Sequence, residues 1–120
     1  MIKINDKLVA YFNELGILDI SGKFMVGETE SVEKIIFWNY EFLGEIPSED
    51  QLDSAYLKYT EKTKANKIRE LRNALLLSSD WTQVLDSPVN QTAWATYRQQ
   101  LRDISSQAGF PWEVQWPTQP

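Results

Sequence analysis

The chain has 120 residues, about one domain's worth, with twelve basic and seventeen acidic side chains for a formal net charge of -5. That charge disfavours general attraction to nucleic acid or anionic membrane. With no cysteine and no histidine, disulfide frameworks, Ser-His-Asp and Cys-His catalysis and most zinc sites are excluded.

The opening stretch, MIKINDKLVAYFNELG, is broken by Asp6, Lys7, Asn13 and Glu14. It lacks both a signal-peptide apolar core and a membrane run of about twenty residues, so the expectation is a mature soluble chain suited to the cytosol. Leu8, Val9, Phe12 and Leu15 recur at helical spacing over residues 6–15, with Asn5 as a candidate cap and Gly16 as a candidate left-handed terminus. The run KLVAYF also fits a strand. Apolar residues 17–20 and 24–26 flank Ser21-Gly22, a hairpin signal, and KIIFWNYEFLG has the β-branched and aromatic content of a strand. Residues 17–44 therefore read as a small antiparallel sheet.

At IPSEDQL the pattern changes: Pro47 stops extended structure, and Ser48 with Gln51 forms a capping-box signature. A helix then runs to about Ser78 without meeting glycine or proline. Leu52, Ala55, Tyr56 and Tyr59 share one face, and Ile68, Leu71 and Leu75 share another about 140° away. Between them TEKTKANK is polar all round, as in a solvated span. Charge is also divided: residues 58–72 hold six basic and two acidic side chains (+4), and residues 28–53 hold eight acidic and one basic (-7).

The polar, proline-containing SSDWTQVLDSPVN reads as a turn. A second helix over residues 91–105 then places Trp94, Tyr97, Leu101 and Ile104 on one face. The pattern predicts a helical hairpin over residues 67–120, in which Ile68, Leu71 and Leu75 meet Trp94, Tyr97 and Leu101, with Trp81 near the turn. Arg98 and Arg102 are expected to make exposed structural pairs with Asp80 or Asp86. Gly109 and Pro111 end helical structure, and FPWEVQWPTQP reads as an extended tail lying back across the hairpin.

Candidate chemistry is sparse. Glu49, Asp50 and Asp53 are near enough in sequence for a carboxylate pair, but acids at a helix N-terminus are accounted for by the helix dipole. The five glycines are dispersed and form no phosphate loop. Tyr56, Tyr59 and the basic residues Lys58, Lys62, Lys64, Lys67, Arg69 and Arg72 have the composition of a single-strand binding face; in an acidic chain a solvated helix face is the favoured reading. Trp81, Trp94, Trp112 and Trp116 crowd the last forty positions. Two or three of them are expected in a core, with Trp112 or Trp116 open to a partner, since Trp, Tyr and Arg are favoured at interface hot spots.

The stretch from Arg69 onward combines a leucine-rich helix end with SDWTQ, WATYRQQLRDI, QAGFP and a closing WP. In that order these motifs closely resemble the phage tail assembly chaperone-like domain found at the C-termini of small tailed-phage proteins, including tail fibre assembly proteins. GEIPSEDQLDSAY looks like the linker such proteins carry. Asn73 stands where an aspartate is usual and Ser105 where a proline is common. The resemblance implies a non-enzymatic role, with no catalytic residue, cofactor or metal, in assembling or attaching a phage tail fibre.

The fold class expected is α+β: a small N-terminal antiparallel sheet region with a short helix, a long linking helix, and a C-terminal helical hairpin with an extended Trp/Pro-rich tail. Its divisions are a β-rich partner-binding region at 1–47, the linking helix at 48–66 and the chaperone-like module at 67–120. The partner implied is a tail fibre or baseplate protein, met in the host cytoplasm or retained in the virion tail, with no nucleic acid and no membrane. A homo-oligomer and a hetero-oligomer with a trimeric fibre both stay open, as does a permanent structural adaptor in place of a chaperone. Residues 1–59 are expected to make the specific contact, because KIIFWNYEFLG has more large apolar side chains than one face of a small sheet buries. The candidate partner-binding residues are Phe37, Trp38, Tyr40, Phe42, Trp112 and Trp116.

Overall fold

A computed structural model describes residues 2–29 and 32–120. It is α+β, in the order α1 (Ile4–Glu14), β1 (Phe24–Thr29), β2 (Val32–Trp38), α2 (Tyr40–Leu43), α3 (Glu49–Ser78) and α4 (Gln91–Arg102), with 3₁₀ turns at Asp80–Gln83 and Asp103–Ser106. The chain divides into two compact units, Met1–Thr60 and Glu61–Pro120.

In the first unit α1 begins at Ile4, so Asn5 lies inside the helix and caps nothing. The cap comes instead from β2: the Ile4 amide donates to the Glu33 carboxylate at 2.6 Å. A carboxylate at a helix N-terminus satisfies a free N–H and meets the positive end of the dipole. At the other end Gly16 is left-handed, with φ 76°. The Gly16 amide donates to Asn13 O and the Ile17 amide to Phe12 O, the paired bonds of a Schellman stop. That stop explains why residues 17–20 do not form the expected strand. The Ile17 amide is spent on the helix, and Ile17 and Ile20 pack irregularly against the core.

Among the described residues the sheet therefore has two strands, not three. β1 and β2 pair antiparallel, Phe24 opposite Trp38, Met25 opposite Phe37 and Val26 opposite Ile35. Nor does KIIFWNYEFLG stay extended throughout. Asn39 ends β2 and caps α2, its side chain accepting from the Phe42 amide at 3.0 Å, so Tyr40 and Phe42 stand on a short helix. Leu8, Phe12, Trp38 and Leu52 form the buried centre of this unit. The Phe12 ring lies 5.8 Å from Trp38 and 6.2 Å from Phe24. The Trp38 indole donates to Gly44 O at 2.9 Å.

α3 starts where the capping box predicts: the Ser48 amide donates to Gln51 Oε1 and the Gln51 amide to Ser48 Oγ. In the second unit the inward face of α3 runs through Ala65, Ile68, Arg72 and Leu75, and Ser79 just beyond its end is buried on the same side. Leu71 falls on the flank of that face, 52 % exposed, and so does not join the predicted seam. α4 is capped by Asn90, which accepts from the Ala93 amide, and buries Tyr97, Arg98 and Leu101. Ile104, in the following 3₁₀ turn, is fully buried.

Candidate functional site

The surface of the first unit is shaped by a β-bulge. The register shifts between Met25 and Val26, so Ile36 is the extra residue on β2. Side chains alternate along a regular strand, and one extra residue resets the alternation. Ile35 and Trp38, three apart, consequently both turn to the core, whereas Ile36 and Phe37 both remain outside with Met25. Ile36 lies across Gly27, where a Cβ would stand only 3.1 Å from Ile36 Cδ1. Glycine here makes room for that side chain. Tyr40 and Phe42 are also exposed, the Phe42 ring beneath the Lys23 ammonium at 4.5 Å. Trp38 does not belong with these residues. At 7 % exposure it is part of the core, unlike the exposed candidates Phe37, Tyr40 and Phe42.

Of the carboxylates at the start of α3, Asp53 is engaged by a salt bridge to Lys7 of α1. Among the described residues no group of histidine, cysteine, aspartate or glutamate is arranged to hold a metal ion. The Asp53 hydrogen bond chiefly raises the Lys7 pKa above its ordinary 10.5, against the opposing effect of burial, with further help from the charges of Asp53 and Glu49. Lys7 thus carries its proton more firmly in the folded chain, so its contribution is complete below the unfolded value and lost as pH rises through the folded one. The stability deficit of Lys7→Gln relative to the wild type should shrink as pH rises past 10.5, read as urea midpoints across the alkaline range.

In the second unit Arg98 is the organising side chain. Its guanidinium donates to Leu76 O at 2.6 Å, to Ser79 Oγ at 2.8 Å and to Asp80 Oδ1 at 2.6 Å. It ties the end of α3 to α4 and supplies a cation where the helix dipole is negative. The expected pairing with Asp80 is present, but Arg98 is buried, with 8 % exposure. Arg102 instead contacts Gln99 within α4.

The tryptophans depart from expectation. Trp81, Trp112 and Trp116 are exposed and Trp94 is half-buried. The reason is a graded aromatic ladder: Tyr97 is buried, Trp94 meets it edge-on at 5.6 Å, and Trp81 stands beyond Trp94 at 6.3 Å. Ala65, Ile68, Tyr97, Leu101, Ile104 and Thr82 fill the centre, and Trp94 and Trp81 step outward from Tyr97. Two cations of α3 lie over tail aromatics, Lys64 over Trp112 and Arg69 over Phe110. That is packing chemistry for part of the basic stretch.

The tail is folded rather than merely laid down. The Gln107 side chain donates to Gln115 O and accepts from the Gln115 amide, both at 2.8 Å, in the manner of a strand pair. Within that closure the Glu113 amide donates to Gly109 O at 2.7 Å, and a Cβ on Gly109 would lie 2.8 Å from both Glu113 Cβ and Glu113 O. Gly109→Ala should therefore cost about 1–3 kcal/mol, measured as a lowered denaturation midpoint. Gly109, expected with Pro111 to end helical structure, is required here by the close approach of Glu113.

The turn, α4 and tail just described fall within a stretch of known kind. Residues 65–120 match the family model described as phage tail assembly chaperone protein, and this part of the chain is similar to that domain. No curated protein matches the chain, and no solved structure matches it.

Proposed function

We propose that the protein is a non-enzymatic assembly factor for a phage tail, with the C-terminal unit as scaffold and the N-terminal unit as the part that contacts a tail fibre or baseplate protein. The family match over residues 65–120 supports the assembly role. The observation that carries the assignment of contact to the N-terminal unit is the bulge in β2, which leaves Ile36 and Phe37 outside together beside Met25. A small protein that holds adjacent large apolar side chains in water has the mark of a binding surface. Among the described residues each strand of this sheet pairs on one side only, the geometry that accepts an added strand. Covering an aggregation-prone fibre segment in this way requires no chemistry. The complex would form in the host cytoplasm, before the fibre trimerises or docks.

Co-expression of the full chain with the phage's fibre and baseplate proteins, followed by affinity capture, tests the reading. Ile36→Ser with Phe37→Ser should abolish capture, whereas Trp112→Ala with Trp116→Ala should leave it intact. The reverse result would move recognition to the aromatic tail. The second reading, a permanent tail adaptor, predicts a fixed copy number in purified virions, and the chaperone reading predicts loss of the protein from the finished particle.

A further inference from the structure

The first unit contains a groove of about 770 Å³ between the start of α1, the two strands and the start of α3. Its floor is aliphatic: Ile2, Ile4, Val32, Ile35 and Leu52. Ile2 and Val32 remain open to solvent, so the floor is only partly covered by the fold itself. Its size falls in the range of sites that enclose a ligand, about 300–1,000 Å³.

The charged residues around this floor are Lys3, Lys7, Glu28, Glu33 and Glu49, a net -1. They are not equally available. Lys7 is bound to Asp53, which brings a further negative charge, and the Glu33 carboxylate holds the Ile4 amide. Lys3 is thus left opposite Glu28 and Glu49, within a stretch of sequence, residues 28–53, that carries -7. An apolar floor under a negative rim selects apolar side chains flanked by cations, because rim charges set partner choice and encounter rate more than total affinity.

We propose that this groove docks an extended, aliphatic segment of a tail protein that carries lysine or arginine at its ends. That the segment belongs to a tail protein rests on the assembly reading above; its chemistry rests on the groove. The protein's own basic stretch, residues 58–72, is a poor occupant. It is helical, it buries Ala65 and Ile68, and Lys64 and Arg69 lie over Trp112 and Phe110.

The probe is a labelled synthetic peptide of about ten residues, long enough for extended recognition, with alternating valines at its centre and lysines at both ends; its twin has glutamates at the ends. Fluorescence anisotropy with the full-length protein should show the lysine peptide binding about tenfold or more tightly than its twin. That advantage should fall as salt is added. Glu28→Lys with Glu49→Lys, both exposed positions, should reverse the preference, and Ile36→Ser with Phe37→Ser should leave it unchanged. Equal binding of the two peptides, binding of neither, or a preference untouched by the double reversal would overturn the groove assignment. In the co-expression experiment, a tail-protein complex whose affinity is unchanged by the double reversal also overturns it while the assembly reading stands. Failure to capture any tail protein removes that reading, and the peptide preference still decides the groove.

Discussion

Phe12→Ala is expected to cost about 3–5 kcal/mol and to abolish the cooperative unfolding transition of the first unit. Phe12 is 1 % exposed and is the ring shared by the Phe24 and Trp38 contacts. Whole domains are stable by only about 5–15 kcal/mol, and about sixty residues bury a smaller share of their surface than larger domains do. Truncation at this position therefore removes most of what holds the unit together. Trp38 provides the measurement, as the one tryptophan in residues 1–60. In a protein whose other four tryptophans are replaced by phenylalanine, its emission should be red-shifted by Phe12→Ala before any denaturant is added. A native blue-shifted spectrum with an unchanged midpoint would mean that α1 does not organise this core.

Arg98→Ala is expected to destabilise the second unit by about 2–3 kcal/mol, below the 3–5 typical of breaking a fully buried pair because Asp80 is exposed. The loss has three parts: the Leu76 carbonyl, the Ser79 hydroxyl and the Asp80 carboxylate each lose a donor. Arg98→Lys should recover little, since one ammonium lacks the planar fork that reaches all three. Urea midpoints of the two variants, alongside Asp80→Asn, provide the check. If Asp80→Asn costs as much as Arg98→Ala, the stabilisation lies in the ion pair and not in capping the helix end.

Local signals were legible where the responsible residues lie close in sequence. The Ser48 and Gln51 box, the left-handed Gly16 and the unbroken run to Ser78 all depend on neighbours within a few positions. So did the α+β class and the resemblance over the last fifty residues. The departures arose where distant residues decide. The Ile4 amide is capped by Glu33, a partner that no inspection of the first ten residues reveals. The burial of Trp38 and the exposure of Phe37 depend on one extra residue in a strand pair, and the apolar run IIFW contains no polar residue to mark which side chains face out. Asn39 was the missed local signal, an N-cap type in the middle of an otherwise strand-like run. The groove floor joins side chains from residue 2 to residue 52, which only the folded chain brings together.

The carboxylate that caps α1 has a consequence for how the protein is made. Ribosomes add about 5–20 residues per second, so Glu33, 29 residues beyond Ile4, is joined to the chain about 1.5 to 6 seconds after it. An eleven-residue helix is marginal alone in water. α1 is therefore completed only after the second strand has begun to be made. Its opening turn waits for the second strand, and the amphipathic segment that carries Leu8 and Phe12 meets its core partners Trp38 and Leu52 only later still.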